Sequence, residues 1–228
     1  MLVLGIDTAL KSCSAAVLRD GSVLAERRLA LEKGHAEHLA PMVAEALGEA
    51  RVAAKDLDRV GVVIGPGGFA GVRVGLAFAR GLALGTHAKV IGVTSLAALA
   101  AGVDAPPQSL VAPVIDARRG QVYAALYDRD GSVRLRPFVA TADEALSRLA
   151  EAAGSESVLL IGDGAPLIAP PPNFELLPGD DQIDAKIVAR LAASAPEPAT
   201  TPAPLYLRAP DAKPGAPSLF EGLLGDLP

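Results

Sequence analysis

Residues 65–75 read Gly-Pro-Gly-Gly-Phe-Ala-Gly-Val-Arg-Val-Gly, with five glycines set between a buried-strand pattern and an amphipathic helix. Without a Cβ the chain can enter positive φ and bring its N–H groups close to another surface, and the helix that follows aims its positive N-terminal end the same way. That geometry suits an anion or a partner backbone. The spacing is neither a Walker A loop, since no Gly-Lys-Ser/Thr follows, nor the Gly-x-Gly-x-x-Gly fingerprint of dinucleotide sites. A tight strand-to-helix turn used for packing is the competing reading.

Asp7 and Asp116 each close an apolar strand pattern. A strand-end carboxylate either faces a Mg–nucleotide in a cleft or caps its own turn. The residues that follow, Thr8-Ala9-Leu10-Lys11-Ser12 and Ala117-Arg118-Arg119, lack a glycine-rich phosphate hairpin. Gly162 and Gly164 would flank an adenosine or form a plain β-turn around Asp163. Together these residues make at most a remnant nucleotide site. Covalent chemistry is harder still to assemble. His35 and His38, three apart on one helical face, would hold a metal only with ligands from elsewhere, and His87 sits in a turn, so no Ser/His/Asp set forms. Cys13 has no His or Asn partner nearby and reads as a small buried hydrophobe. No catalytic residue, resident metal or intrinsic cofactor is expected.

The elements that must position these residues alternate in a simple order. Residues 3–8 and 12–18 read as strands, Asp20-Gly21 as a hairpin turn, and 23–31 as a third strand. Leu39, Met42, Val43, Ala46 and Leu47 recur at helical spacing, with Pro41 in the first turn. A strand at 57–64 enters the glycine run, a second helix spans 72–84, and a strand at 90–93 precedes a short helix at 95–101. After the break at Ala105-Pro106-Pro107 the theme repeats: strands at 110–116, 121–127 and 133–139, a helix at 142–152, a strand at 157–161 and a helix at 184–193. Residues 196–204 read as extended, and Leu205-Tyr206-Leu207-Arg208 as a short ordered element. The predicted fold is α/β, with the two-lobed actin and sugar-kinase architecture of duplicated ribonuclease-H-like halves. Its lobes are expected at 1–104 and 105–213, followed by a mobile tail at 214–228.

Half of the 228 residues are apolar and the formal net charge is −5. The acidic balance argues against direct binding of nucleic acid, which needs a concentrated basic face. One cysteine, no basic leader and no long uninterrupted apolar run point to the cytoplasm and away from a membrane.

Across this frame the motifs 5–9 (Gly-Ile-Asp-Thr-Ala), 38–42 (His-Leu-Ala-Pro-Met), the glycine run, 92–96 (Gly-Val-Thr-Ser-Leu), 115–123 (Ile-Asp-Ala-Arg-Arg-Gly-Gln-Val-Tyr) and 206–208 (Tyr-Leu-Arg) occur in an order that resembles the TsaB, or YeaZ, family. The resemblance spans nearly the whole chain. Gly68 and Ala70 stand where that family usually has Ser and Thr, so two hydroxyls are missing from the loop. The resemblance implies a non-catalytic subunit that binds a TsaD-like catalytic subunit and works with a TsaE-like ATPase in threonylcarbamoyl transfer to adenosine 37 of tRNA. It reaches tRNA only through the complex, and ATP or ADP with Mg enters only in the assembly. A homodimer is expected in isolation. Docking would use the first two helices, through His35, His38, Leu39, Met42, Val43, Leu47, Val72, Arg73, Gly75, Leu76, Arg80 and Gly81. Gly75 and Gly81 would let facing helices approach. Arg73 and Arg80 would pair with carboxylates across the interface, including Glu37 or Glu45 of a second protomer, and Arg118 and Arg119 would contact tRNA or the ATPase. The His-x-x-His register differs from the His-x-x-x-His metal pair of TsaD-like enzymes. The alternative is a self-sufficient ATP-dependent enzyme of the same superfamily.

Overall fold

A computed structural model describes residues 1–106, 108–177 and 182–208. Pro107 of the predicted break and the predicted tail at 214–228 lie outside the described residues.

Strand β1 (Leu2–Asp7) is buried along its whole length, which suits a strand covered on both faces. It pairs antiparallel with β2 (Ser12–Arg19), which turns through Asp20 and Gly21, at φ 50° and 82°, into β3 (Ser22–Ala30). Two successive positive φ values are what a two-residue hairpin requires, hence Asp-Gly. On the other side of β1 lie β4 (Arg59–Val63) and β5 (Lys89–Val93), both parallel, giving the order β3-β2-β1-β4-β5. Leu2, Leu4 and Ile6 face one way, into a core shared with helices α1 (His35–Ala50) and α2 (Phe69–Thr86). Val3 faces the opposite core, with Ala185 and Ala189.

The short helix α3 (Ser95–Ala101) starts at Thr94, whose Oγ1 accepts the Ala97 N–H at 3.0 Å. The second sheet comprises β6 (Ser109–Arg118), β7 (Gln121–Tyr127), β8 (Val133–Thr141), β9 (Ser157–Ile161) and β10 (Phe174–Leu176), in the order β10-β9-β6-β7-β8. From its hairpin edge this repeats the first sheet, antiparallel and parallel pairings included. Helix α4 (Ala142–Ala153), entered through a Thr141/Glu144 capping box, takes the place of α1. The counterpart of α2 shrinks to one 3₁₀ turn, Ala165–Leu167. The fold is therefore the duplicated two-sheet architecture that the sequence predicts.

The halves exchange helices. Helix α3 from the first half packs on β6 and β7, while α5 (Ala185–Ser194) from the second packs on β1, β2 and β4. A cut at 104/105 separates the sheets but not these helices. Glycines make the crossing close: a Cβ on Gly5 would stand 2.1 Å from the Ala185 carbonyl oxygen, and one on Gly61 would stand 2.6 Å from Ala192 Cβ. Arg59 closes the end of α5, donating from Nη1 to the carbonyls of Ala192 at 2.7 Å, Ala193 at 3.3 Å and Ala195 at 2.6 Å. A cation there satisfies orphan carbonyls and opposes the helix dipole. Arg59→Ala is expected to lower stability by about 1–2 kcal/mol in urea unfolding; an unchanged midpoint would show that this cap is worth nothing to the fold.

One helix start and one strand depart furthest from the sequence reading. Helix α2 begins at Phe69, three residues before the predicted 72, because Gly68 caps it through its backbone, its carbonyl accepting the Val72 N–H at 3.0 Å. Strand β10 went unpredicted because its three residues are too short for a period to show. No helix among the described residues is long and apolar enough to cross a membrane.

Candidate functional site

The glycine run opens onto the chain's own backbone. Thr8 and Ala9 follow β1, and a Cβ at Gly71 would stand 1.9 Å from the Thr8 carbonyl oxygen, one at Gly67 2.4 Å from that of Ala9, and one at Gly75 2.6 Å from Thr8 Oγ1. Hydrogen bonds use the space these residues leave: the Gly68 N–H donates to the Ala9 carbonyl at 2.7 Å, and Thr8 Oγ1 donates to that of Gly71 at 2.7 Å. Of the two readings of this loop, the packing turn accounts for these contacts. Gly75 serves the chain's own core, which corrects its assignment to an intermolecular helix contact.

Asp7 is fully buried beneath this turn, where its carboxylate accepts the Ala9 N–H at 2.9 Å and the Ser12 hydroxyl at 3.4 Å. Burial raises its pKa from 3.8 to about 7, against the lowering effect of those hydrogen bonds. Cys13 beside it is raised to about 11 by burial and by the Asp7 charge, so its thiol is unreactive.

Asp116 occupies the equivalent strand end but reaches the cleft between the halves, a space of about 350 Å³ lined also by Lys11, Gly68, Tyr123 and Asp163. Its carboxylate accepts the Arg118 N–H at 2.7 Å and Arg118 Nη1 at 3.1 Å. Gly162 and Gly164 do in this half what Gly67 and Gly71 do in the other: a Cβ on Gly162 would lie 2.4 Å from the Val114 carbonyl oxygen, and one on Gly164 2.7 Å from Ile115 C. Asp163 holds the Asp116 N–H at 2.9 Å with one oxygen and Lys11 Nζ at 3.2 Å with the other, tying the two halves across the cleft. The structure thus sets Gly162 and Gly164 against β6 beside Asp116, while Asp7 is sealed from the cleft. Asp7 lies under its own turn, the glycines pack against β6, and Asp116 alone lines the cleft. The Lys11–Asp163 pair went unread because 152 residues separate its members.

On α1 and α2 the expected docking residues divide by burial. Leu39, Met42, Val43, Leu47, Val72, Gly75 and Leu76 are buried in the chain's own core, so they hold the helices on the sheet. This corrects their assignment as partner contacts. His35 is half-buried, its Nε2 3.3 Å from the Leu10 carbonyl, and His38 is exposed. Among the described residues no three His, Cys, Asp or Glu side chains group as metal ligands would. Arg73, Arg80 and Gly81 lie outward on α2, with Phe69 (53% exposed) and Leu84 (86%). A Cβ on Gly81 would meet nothing within 4 Å.

Both arginines are engaged within the chain. Residues 196–208 form a strap across β5, the glycine run and α2. Pro202 packs on Gly92, and the Leu205 N–H donates to the Ile64 carbonyl at 2.8 Å. Tyr206 stacks on Phe69 with centroids 5.5 Å apart. The Arg73 guanidinium lies 3.4 Å from the Phe69 centroid, and its Nε donates to the Tyr206 hydroxyl at 2.9 Å. Arg80 donates to the Pro202 carbonyl at 2.5 Å, and Arg208 reaches the Ala117 carbonyl at 3.1 Å. Glu45 faces Arg27 of β3 at 3.9 Å. Within the chain, then, both arginines and Glu45 already hold contacts, and all three remain exposed. Leu205 to Arg208 is ordered, as expected, but as irregular backbone. Arg118 and Arg119 sit exposed at positive φ in the turn after β6.

Comparison with known proteins places these features. The family model described as TsaD, tRNA N6-adenosine threonylcarbamoyltransferase, matches residues 24–173. The tRNA threonylcarbamoyladenosine biosynthesis protein TsaB of Escherichia coli is 40% identical over 131 residues, 57% of this chain and 56% of that protein. The chain thus matches about half the length of this curated relative. An uncharacterized protein of Mycobacterium tuberculosis is 39% identical over 217 residues, covering 93% of this chain and 94% of the relative. The solved structure of YeaZ from Pseudomonas aeruginosa superposes with a TM-score of 0.71 at 30% identity, over 84% of this chain and 90% of that one.

Proposed function

Because the chain belongs to the TsaB/YeaZ family, within the wider family that the TsaD model describes, we propose that it acts in threonylcarbamoyladenosine synthesis as a non-catalytic subunit that docks on a TsaD-like catalytic subunit. Docking uses the outward face of α2, and the observation that carries this is the exposed Leu84 one turn from Gly81, whose surroundings are open. A large exposed apolar side chain on a helix with space beside it suits a helix of another subunit. In this reading a TsaE-like ATPase joins the complex, tRNA is reached only through it, ATP or ADP with Mg is held only in the assembly, and the same face pairs two copies when the partner is absent. The setting is the cytoplasm.

The rival reading, an independent ATP-dependent enzyme, needs both strand-end carboxylates at the cleft. The burial of Asp7 and the packing roles of Gly162 and Gly164 favour the subunit reading.

Gly81→Leu separates folding from docking. The new side chain enters open space, so unfolding should be unchanged or slightly raised, whereas affinity for the TsaD-like subunit should fall at least tenfold by light scattering or calorimetry. Unchanged affinity would remove α2 from the interface.

A further inference from the structure

Helix α2 carries no acid: its ionisable side chains are Arg73 and Arg80, both exposed. Lys89 is likewise the sole charge on β5. These cations stand out in a chain whose formal net charge is −5. Among the described residues the one carboxylate within ion-pair distance of any of them is Glu197 of the strap, 2.7 Å from Lys89 in a pair exposed on both sides. Arg80 donates to the Pro202 carbonyl and keeps N–H donors to spare.

Arg80 and Lys89 meet at a groove of about 730 Å³ bounded by α2, β5 and residues 198–201 of the strap. Between the two cations its lining is largely apolar, with Leu84, Val90 and Pro198. Leu84 stands at the rim as the most exposed large apolar side chain among the described residues. The wall that the strap supplies is held at both ends, by the Lys89–Glu197 pair and by Arg80 on Pro202.

An apolar middle with cations at the edge selects a ligand of the opposite pattern, aliphatic in its centre and carboxylate at its sides. Nucleic acid would answer the charges, but no aromatic ring lines the groove for a base to stack on. A second copy set groove against groove would bring its own Arg80 and Lys89 onto these, which disfavours it relative to an acidic partner.

We propose that the groove receives an acidic amphipathic segment of the TsaD-like subunit, its aliphatic side chains over Leu84 and Val90 and its carboxylates on Arg80 and Lys89. This rests on the docking reading above and adds the chemistry of the partner's segment and a role for the strap. Glu197 stands where a partner carboxylate arrives, so the exposed pair within the chain yields to one between subunits.

Calorimetric titration of full-length variants against the TsaD-like subunit tests this. Leu84→Ser should weaken binding at least tenfold. Lys89→Gln should weaken it about threefold, whereas Glu197→Gln, which removes the competing carboxylate, should tighten it about threefold. Both charge effects should fade at about 0.5 M salt while the Leu84→Ser loss persists, and Ser132→Ala, exposed in the β7–β8 turn, should change nothing. Weakening by Lys89→Gln and Glu197→Gln alike would mean that the pair only braces the strap, and full affinity of Leu84→Ser would leave the groove outside the interface. Either result overturns the proposal even where Gly81→Leu still blocks docking. Substitutions that break self-association in light scattering but spare the mixed complex would assign the groove to a second copy instead. Failure of the unsubstituted chain to form any mixed complex would remove the docking reading, and this proposal with it.

Discussion

Gly71→Ala is expected to destabilise the protein by about 3 kcal/mol or more, the largest loss from adding a single methyl at any described glycine. The new Cβ would stand 1.9 Å from the Thr8 carbonyl oxygen, a backbone atom that no rotamer change can move. Relief requires α2 to back away from the turn after β1, breaking the Thr8 Oγ1 to Gly71 and Gly68 to Ala9 hydrogen bonds together. Gly81→Ala, in the same helix but with nothing within 4 Å, is the matched control and should gain about 0.5–1 kcal/mol from helix propensity. Urea unfolding of the two variants should therefore move in opposite directions. Equal shifts would mean that close packing of the glycine run on Thr8 and Ala9 does not hold the fold.

Asp7→Asn should raise stability, and by an amount that grows with pH. Below pH 3.8 the carboxyl is protonated in folded and unfolded chains alike. Between 3.8 and about 7 the unfolded chain releases the proton while the folded chain keeps it, so wild-type stability falls steadily across that window; above about 7 the penalty is constant. The shift corresponds to about 4 kcal/mol when complete. Asparagine can keep the Ala9 contact through its oxygen and donate to the Ser12 hydroxyl, so the substitution removes the charge with little else. The gain should be small at pH 4 and approach its maximum near pH 8. A difference that stays flat with pH would show that Asp7 does not carry this titration.

Much of the frame was legible because local chemistry fixes it. Asp20-Gly21 admits the paired positive φ of a tight hairpin, Thr94 caps α3 as its type suggests, and the strand-end aspartates announce the duplication. The start of α2 was not legible, because its cap is the backbone of Gly68 and carries no side-chain signal. Nor could helical period say which apolar residues meet a partner. Leu39, Met42, Val43 and Leu47 mark a face that must be covered, and in this fold the first sheet covers it. Asp7 and Asp116 look alike in sequence, yet the turn after β1 seals one and the shorter second half leaves the other at the cleft. The strap was hidden for another reason: its anchors, Arg73 to Tyr206 and Arg80 to Pro202, lie more than a hundred residues apart and follow no period.

The most direct test of the subunit reading is light scattering on this chain alone and mixed with the TsaD-like protein of its own organism, with and without ATP and Mg. The account predicts a mixed complex heavier than either component, lost when Gly81 becomes leucine. Components that stay separate under both conditions, together with ATP turnover by this chain alone, would contradict it.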